Sequence, residues 1–326
     1  MRLSDAGELH LLDRIRKRLG ARRRAVLTGI GDDAAVLAAD RRKLLATTDM
    51  MLEGVHFDLG LVTPRQLGFK LISVNVSDIY AMRGRPAFAL LGIAVPGDTG
   101  EEFIDGLLDG VDEACQAFGV TVVGGDVSSS LSGMALSATL LGHAEKPLLR
   151  SGARPGDGIY VTGTLGDSAC GLEVLRRIAH PVDFGTPVHL AMEWGLIEPL
   201  LRRHLMPRPR RPGAWAEDAS ALIDVSDGLL IDLTRLCSES GVGARIYAER
   251  VPLSRELIPV AMSLGREPQE FALSGGEDYE LLFTSRRRGN IRGATRIGEV
   301  VASGMTMVRG DGTEAEFGPE GYQHFK

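Results

Sequence analysis

Strand-like apolar runs alternate with helix-like segments along the whole chain of 326 residues. In the first half, short apolar runs predict strands at 43–49 and 86–96. Between them we predict a helix over 63–84, because Thr63 can cap its start and Pro64 suits the first helical turn. Such alternation is typical of α/β and mixed α+β proteins.

The rest of the chain follows the same pattern, and its length exceeds what one hydrophobic core usually organises. We predict a helix at 99–119, strands at 120–126 and 134–144, a strand–turn–helix unit within 148–175, a helix around 188–204, an exposed loop at 206–215, a strand at 221–228 followed by the helix 229–240, and strands at 243–249 and 279–285. A Pro-Gly-Asp-Gly turn at 155–158 opens a new α/β unit. We therefore predict two domains, 1–148 and 149–326.

Charge, hydropathy and cysteine content narrow the functional classes. The net charge of −6 offers no basic footprint for nucleic acid. No apolar run reaches the roughly 18 residues of a membrane span, and the charged N-terminus lacks a signal-peptide core. The isolated Cys115, Cys170 and Cys237 form neither a disulfide framework nor a metal-binding pair, so we expect them in the core. These features predict a cytoplasmic protein that binds neither nucleic acid nor membrane.

Aspartates recur at predicted strand ends and beside glycine turns, in segments far apart in the chain. The segments are GIGDDAAV, TTDMMLEGVHF, NVSDIYAMRG, VVGGDVSSS, IDVSDGLL and SGGEDYELL. One such aspartate is usually a turn former or a helix cap. Their repetition favours a shared site, because the ends of buried strands form the usual mouth of an α/β binding site.

The residue types around these aspartates favour Mg²⁺ and phosphate. Asp78 falls inside the predicted 63–84 helix among apolar residues, where a carboxylate needs a partner such as a cation, although a solvent-facing Asp is the alternative. Thr47 and Thr48 place two hydroxyls beside Asp49. Neither an EF-hand spacing nor a His/Cys zinc pattern occurs, whereas dispersed carboxylates and hydroxyls suit Mg²⁺ held together with substrate phosphates. This predicts phosphoryl or nucleotidyl chemistry.

The common nucleotide-binding motifs are absent from the sequence. It contains neither a GxxxxGK[ST] loop nor the HRD and DFG motifs of protein kinases. Gly163 and Gly166 match only a fragment of a dinucleotide loop, and we interpret them as a tight structural turn.

Taken together, the motifs resemble those of the thiamine-monophosphate kinase family. The segments GIGDDAAVL, TTDMMLEGVHF, NVSDIYAMRGRP, VVGGDVSSS, RSGARPGDGIYVTGTLGDSACGL, IDVSDGLLIDL, LSGGEDYELLF and GYQHF follow the family's order over essentially the whole chain. That family belongs to an ATP-dependent superfamily with aminoimidazole ribonucleotide synthetase, selenophosphate synthetase and a hydrogenase maturation protein.

The resemblance implies a fold and a reaction. It implies an N-terminal α/β domain whose sheet pairs across a homodimer into a β-barrel, and a C-terminal layered α/β domain that completes the active site. The implied reaction is direct in-line transfer of the γ-phosphoryl group from ATP to thiamine monophosphate, assisted by several Mg²⁺ ions, with K⁺ as a further candidate cofactor. The acceptor phosphate has a second pKa near 6, so no general base is expected.

Carried over residue by residue, the resemblance implies three groups of site residues. Mg²⁺ ligation falls on Asp33, Thr47, Thr48, Asp49, Asp78, Asp126, Asp224 and Asp227. ATP contacts fall on Gly125, Arg150 and Ser226, and thiamine-phosphate contacts on His56, Glu277 and Tyr322. Asp32 is expected to bond the adjacent glycine turn or to support the metal ligands, and Phe118, where the family often has a stacking tyrosine, receives no role.

Two alternatives stay open. One is another activity of the superfamily, such as selenophosphate or aminoimidazole ribonucleotide synthesis. The chain has no cysteine in an N-terminal glycine-rich loop and ends in GYQHFK, which disfavours the selenophosphate and hydrogenase-maturation chemistries. The other is a catalytically silent nucleotide-binding protein, which the retained acidic positions disfavour.

Overall fold

A computed structural model describes residues 14–15, 17–19, 25–28, 36–37, 41–188, 192–287 and 289–323. The described residues form two compact units with mixed α/β structure. The first contains those up to 79 together with 84–146 and 179–183, and the second contains 80–83, 147–178 and those from 184 onward. The chain therefore passes between the units at several points, one of them after residue 146, and the domains 1–148 and 149–326 with their functions remain predictions.

The first unit is built on a four-stranded sheet. After a short antiparallel pair, β1 (Val26–Thr28) and β2 (Val36–Leu37), come β3 (Lys43–Leu52), β4 (Arg85–Pro96), β5 (Thr121–Ser130) and β6 (Ala135–Ala144). The spatial order is β3-β6-β4-β5, with β4 antiparallel to β6 and parallel to β5. The predicted strands 43–49, 86–96, 120–126 and 134–144 are confirmed.

Two helices, α1 (Pro64–Ala81) and α2 (Glu101–Phe118), belong to this part of the chain. They pack with close backbone contact, because a Cβ on Gly68 would lie 2.0 Å from the carbonyl oxygen of Leu107. The predicted helices 63–84 and 99–119 are confirmed. Cys115 on α2 is buried and forms no disulfide, as expected.

The second unit contains a seven-stranded sheet and five α-helices among its described residues. Its strands are β7 (Gly158–Thr162), β8 (Ala219–Val225), β9 (Gly243–Tyr247), β10 (Glu280–Ser285), β11 (Ala294–Val301), β12 (Met305–Val308) and β13 (Glu314–Glu316). Its helices are α3 (Asp167–Ile178), α4 (Trp194–Leu205), α5 (Leu229–Ser240), α6 (Leu257–Ser263) and α7 (Pro268–Ser274). The strand order is β13-β12-β9-β11-β7-β10-β8, with β12 parallel to β9 and the other pairs antiparallel.

Strands β7 and β10 form the centre of the second core, since every residue on both is buried. On one side Phe283 stacks on Trp215, with ring centroids 4.0 Å apart, and on Tyr160 at 5.3 Å. Cys170 and Cys237 are buried free thiols, which confirms their predicted place in the core.

The remaining predictions in this half hold with small shifts. The helix expected around 188–204 is α4, although 189–191 lie outside the described residues. The predicted loop 206–215 has no helix or strand before a short 3₁₀ helix, Ala214–Glu217. No described helix combines the length and apolar character needed to cross a membrane.

Candidate functional site

In the first unit, β3 and α1 bring three predicted Mg²⁺ ligands together. The Thr47 hydroxyl donates to Asp78 Oδ2 at 2.5 Å, although the two residues lie on different elements. The backbone N–H of Asp49 donates to Asn75 Oδ1 at 3.1 Å, and Asn75 is fully buried on α1. Alternate residues of a strand share a face, so Thr47 and Asp49 both project toward the helix that carries Asp78.

Thr48, between these two residues, projects to the other face of the sheet. Its hydroxyl donates to the carbonyl oxygen of Ala138 at 3.2 Å and accepts from Thr139 Oγ1 at 3.0 Å. The structure therefore does not bring Thr48 into the cluster formed by Thr47, Asp49 and Asp78.

Asp126 and Gly125 lie on β5, at the opposite edge of the same sheet. The register aligns Asp126 with Gly92 on β4, whereas Asp49 lies on the far strand β3. Three strand spacings separate the two aspartates, a distance of about 14 Å. Asp126 is exposed, and direct contact with the Thr47–Asp78 pair is outside its reach.

The backbone conformation at position 125 requires a glycine. Its φ of 155° is one that side chains rarely adopt, and a Cβ there would lie 2.0 Å from the carbonyl oxygen of Leu91. Any residue other than glycine would have to separate β4 from β5. The backbone conformation alone therefore accounts for this glycine, and the ATP contact implied for Gly125 remains a prediction.

His56 lies in the turn that follows β3. Its Nδ1 accepts the backbone N–H of Leu52 at 3.0 Å. A ring nitrogen that accepts carries no proton, so in this arrangement the proton of the His56 ring is on Nε2. The predicted substrate residue is thus half-buried in a fixed orientation.

In the second unit, the turn between β8 and α5 carries two predicted residues, Ser226 and Asp227. The backbone N–H groups of Ser226, Asp227 and Gly228 all donate to Asp232 Oδ2, at 3.1, 3.0 and 3.2 Å. Arg235 donates to Asp232 Oδ1 at 2.7 Å and to Asp227 Oδ2 at 2.6 Å. Burial raises the pKa of Asp232 to about 6, against the opposing effect of these hydrogen bonds.

Two further predicted residues meet the same turn. Glu277 donates its backbone N–H to Ser226 O at 2.7 Å, and Tyr322 donates its own to Asp227 O at 3.0 Å. Glu277 has a φ of 67°, which is uncommon for a residue other than glycine. The structure therefore gathers Ser226, Asp227, Glu277 and Tyr322 around one turn, and Asp224 lies just before it on β8, 3% exposed.

Arg150 lies on a different segment of this unit. The preceding residue, Leu149, accepts the backbone N–H of Leu222 on β8 at 2.9 Å, and the Arg150 carbonyl accepts from Ser240 Oγ at 2.9 Å. The Arg150 residue is exposed.

Sequence reasoning missed a buried charge network beneath Glu277. Asp278 accepts the backbone N–H groups of Gly166 at 2.6 Å and Ser168 at 3.1 Å. Burial raises the pKa of Asp278 to about 7, although the charge of Arg203 lowers it. The sequence signal was the acidic pair Glu277-Asp278 after two glycines, of which only Glu277 was predicted to have a role.

Glu280 forms the other half of this network. It accepts from Arg203 at 2.8 Å, from Arg210 at 2.7 and 2.9 Å, and from the Thr162 hydroxyl at 2.6 Å. Burial opposes ionisation of Glu280, but the hydrogen bonds and charges of Arg210 and Arg203 outweigh it and lower the pKa. The loop 206–215, predicted only as an exposed connection, thus supplies Arg210 to a buried carboxylate.

The donor atoms fit Mg²⁺ by their chemistry. Thr47, Asp49 and Asp78 offer oxygen atoms alone, the ligand class that Mg²⁺ prefers. Among the residues that the structure describes, no three His, Cys, Asp or Glu side chains form a ready-made metal site. Asp33, and with it the predicted division of roles between Asp32 and Asp33, lies outside the described residues.

Comparisons with known proteins cover nearly the whole chain. The family model of the AIR synthase related protein, N-terminal domain, matches residues 31–144, and that of the C-terminal domain matches 154–310. The thiamine-monophosphate kinase of Aquifex aeolicus is 40% identical over 329 residues, with 100% of both chains covered.

Solved structures agree with the sequence comparison. The crystal structure of thiamine-monophosphate kinase from Stenotrophomonas maltophilia K279a is 34% identical with a TM-score of 0.79, covering 94% of this chain and 96% of the other. A structure described as AaThiL complexed with AMPPCP and TMP is 38% identical with a TM-score of 0.75, covering 100% of this chain and 99% of that one. The likeness therefore extends over both units.

Proposed function

The chain belongs to the thiamine-monophosphate kinase family, and we propose that it transfers the γ-phosphoryl group of ATP to thiamine monophosphate, forming ADP and thiamine diphosphate. The observation that carries this proposal is the full-length likeness, at 38% identity, to a structure that holds AMPPCP and TMP. In a biosynthetic sequence this would be the last step toward thiamine diphosphate.

The acceptor needs no general base. A phosphate monoester with a second pKa near 6 is already a nucleophilic anion at neutral pH. The barrier is then set by bringing this anion to the triphosphate, so charge neutralisation and positioning are what the protein must supply. Bound Mg²⁺ would neutralise phosphate charge, which is why a site rich in carboxylates suits a reaction between anions.

We assign the Mg²⁺ ligands to the predicted acidic and hydroxyl residues. Thr47, Asp49 and Asp78 would share one ion, whereas Asp33, Thr48, Asp126, Asp224 and Asp227 would hold further ions. The contact between Thr47 and Asp78 supports their share of this role. The Thr47 hydroxyl donates a hydrogen bond to the carboxylate, so the lone pairs of the hydroxyl oxygen stay available to a cation.

The substrate contacts are assigned from the same set. ATP would contact Gly125, Arg150 and Ser226, and thiamine monophosphate would contact His56, Glu277 and Tyr322. Thiamine carries a cationic thiazolium ring and an amino group, so the carboxylate of Glu277 matches it in charge and in hydrogen bonding. The convergence of Glu277, Tyr322 and Ser226 on one turn supports this grouping.

We also propose a homodimer whose N-terminal sheets pair into a β-barrel. The sheet exposes large apolar side chains on one face: Leu44 and Met50 on β3 are 72% and 58% exposed, and Leu90 on β4 is 37% exposed. The register places Leu90 in line with Thr48, between Leu44 and Met50, so the three share that face. A second copy of the chain would cover this surface.

The protein would act in the cytoplasm, where free thiols such as Cys115, Cys170 and Cys237 persist. A requirement for K⁺ beside Mg²⁺ is part of the same proposal.

The decisive experiment incubates the purified chain with ATP, Mg²⁺ and thiamine monophosphate and separates the products by chromatography. We expect equal amounts of ADP and thiamine diphosphate. Asp49→Asn should cut turnover by about 100-fold or more, as loss of a charge that organises transferred phosphates does. Asp98→Asn, at an exposed turn of the same unit, should leave it unchanged.

Two results would contradict the proposal. Lack of thiamine diphosphate at every Mg²⁺ and K⁺ concentration tried, with ATP still bound, would favour a silent nucleotide-binding protein. Release of inorganic phosphate only with selenide or with a formylglycinamidine nucleotide would favour another superfamily activity.

A further inference from the structure

His204 lies beside the carboxylate of Glu277, and sequence reasoning assigned it no role. It is on α4 and is 7% exposed. Its Nδ1 is 3.1 Å from Glu277 Oε2 and 3.1 Å from Ser168 Oγ. Three separate segments, α4, α3 and the glycine loop before β10, thus meet at one ring nitrogen.

The direction of this contact follows from the chemistry of the partners. An ionised carboxylate can only accept hydrogen bonds, so the ring nitrogen that faces it must carry a proton. With Nδ1 protonated, His204 shares this N–H between Glu277 Oε2 and Ser168 Oγ, the opposite of His56, whose Nδ1 accepts from Leu52. A hydrogen bond to a charged acceptor is shorter and stronger than one between neutral groups.

The backbone of Glu277 is held independently of its side chain. Its N–H donates to Ser226 O at 2.7 Å, and the next residue, Asp278, is anchored by the N–H groups of Gly166 and Ser168. The Glu277 side chain is 32% exposed, and its contact with His204 restricts its rotation.

We propose that His204 is a positioning residue for substrate recognition: it fixes one carboxylate oxygen of Glu277 and so presents the other to the cationic, amine-bearing end of thiamine monophosphate. This inference rests on the proposed function. It predicts an effect on recognition of the thiamine substrate and none on recognition of ATP.

Steady-state kinetics of three variants test the proposal. His204→Leu keeps the approximate volume and removes the donor, so KM for thiamine monophosphate should rise about tenfold or more while KM for ATP stays within about twofold. His204→Asn can place an amide N–H near the former Nδ1, and it should restore most of the lost affinity. In a Glu277→Gln background, His204→Leu should add no more than about a twofold further change.

A spectroscopic measurement makes the test independent of turnover. In ¹⁵N-histidine-labelled protein, the nitrogen resonance missing from His204→Asn identifies His204, and Nδ1 should be the protonated nitrogen. An unprotonated Nδ1, an equal rise of both KM values, or full additivity with Glu277→Gln would overturn the inference. An inactive wild type with Nδ1 protonated would instead refute the proposed function and, with it, the substrate role, while leaving the hydrogen bond in place.

Discussion

Removal of Asp232 should loosen the turn that carries Ser226 and Asp227. Asp232 is fully buried, and its Oδ2 accepts three consecutive backbone N–H groups of that turn. In Asp232→Ala each of these partly buried donors loses an acceptor worth about 1–1.5 kcal/mol, so we expect a loss of about 3–4.5 kcal/mol in the free energy of unfolding. Asp232→Asn keeps a neutral acceptor but opposes its amide to Arg235, so about half of that loss should remain.

Urea unfolding followed by tryptophan fluorescence measures this effect in the right unit. The chain has two tryptophans, Trp194 and Trp215, and both belong to the second unit. The matched control is Asp311→Ala, because Asp311 also accepts a backbone N–H, from Thr313 at 2.9 Å, but is exposed. If Asp232→Ala lowers stability no more than this control, the carboxylate does not hold the turn and the reasoning fails.

Three further predictions concern a buried aspartate, a crowded glycine and two buried cysteines. Burial raises the pKa of Asp278 to about 7, so the folded protein binds this proton more tightly than the unfolded chain does. The free energy of unfolding of the wild type should therefore fall relative to that of Asp278→Asn as pH rises from about 4 to about 7. Urea unfolding measures this, and the same pH dependence in both proteins would refute it. Gly125→Ala should lower the stability of the first unit by more than about 2 kcal/mol, while Gly100→Ala, which meets open space, should change it little, as measured by circular dichroism. Burial raises the pKa of Cys170 and Cys237 to about 12, so both should resist a thiol reagent at pH 8 until urea is added; rapid labelling of the folded protein would contradict their burial.

The sequence predicted elements well where local chemistry bounds them. The helix expected over 63–84 is observed as Pro64–Ala81, since proline fixes the start. The strand predicted at 120–126 continues to Ser130 in the structure. The prediction stopped short because the polar DVSSS segment has no apolar signal of its own. This segment forms a strand because it pairs with β4, where Ser130 aligns with Pro96, and that pairing depends on the tertiary fold.

Some residues of the candidate site could likewise be predicted from the sequence, and others could not. Thr47 and Asp78 were each predicted as Mg²⁺ ligands but not as a pair, and the structure shows that the two side chains touch. Asp232 and His204 were not predicted. Asp232 bonds N–H groups only four to six residues before it, whereas His204 acts through a partner that only the fold brings near. A histidine on an amphipathic helix carries no local sign that a glutamate of a distant loop will lie 3.1 Å from its ring.

Asp126 and Asp232 show why residue type alone could not separate ligands from anchors. Asp126 lies within β5 directly after two glycines, and Asp232 lies in the first turn of α5 after the turn that ends β8. Asp232, however, already accepts three N–H groups and an arginine, which uses most of the lone pairs that two carboxylate oxygens offer. Asp126 is exposed on the edge strand β5 and keeps oxygen atoms open to solvent. Saturation by backbone donors, which depends on the fold, therefore distinguishes an aspartate that shapes a site from one that can bind a cation within it.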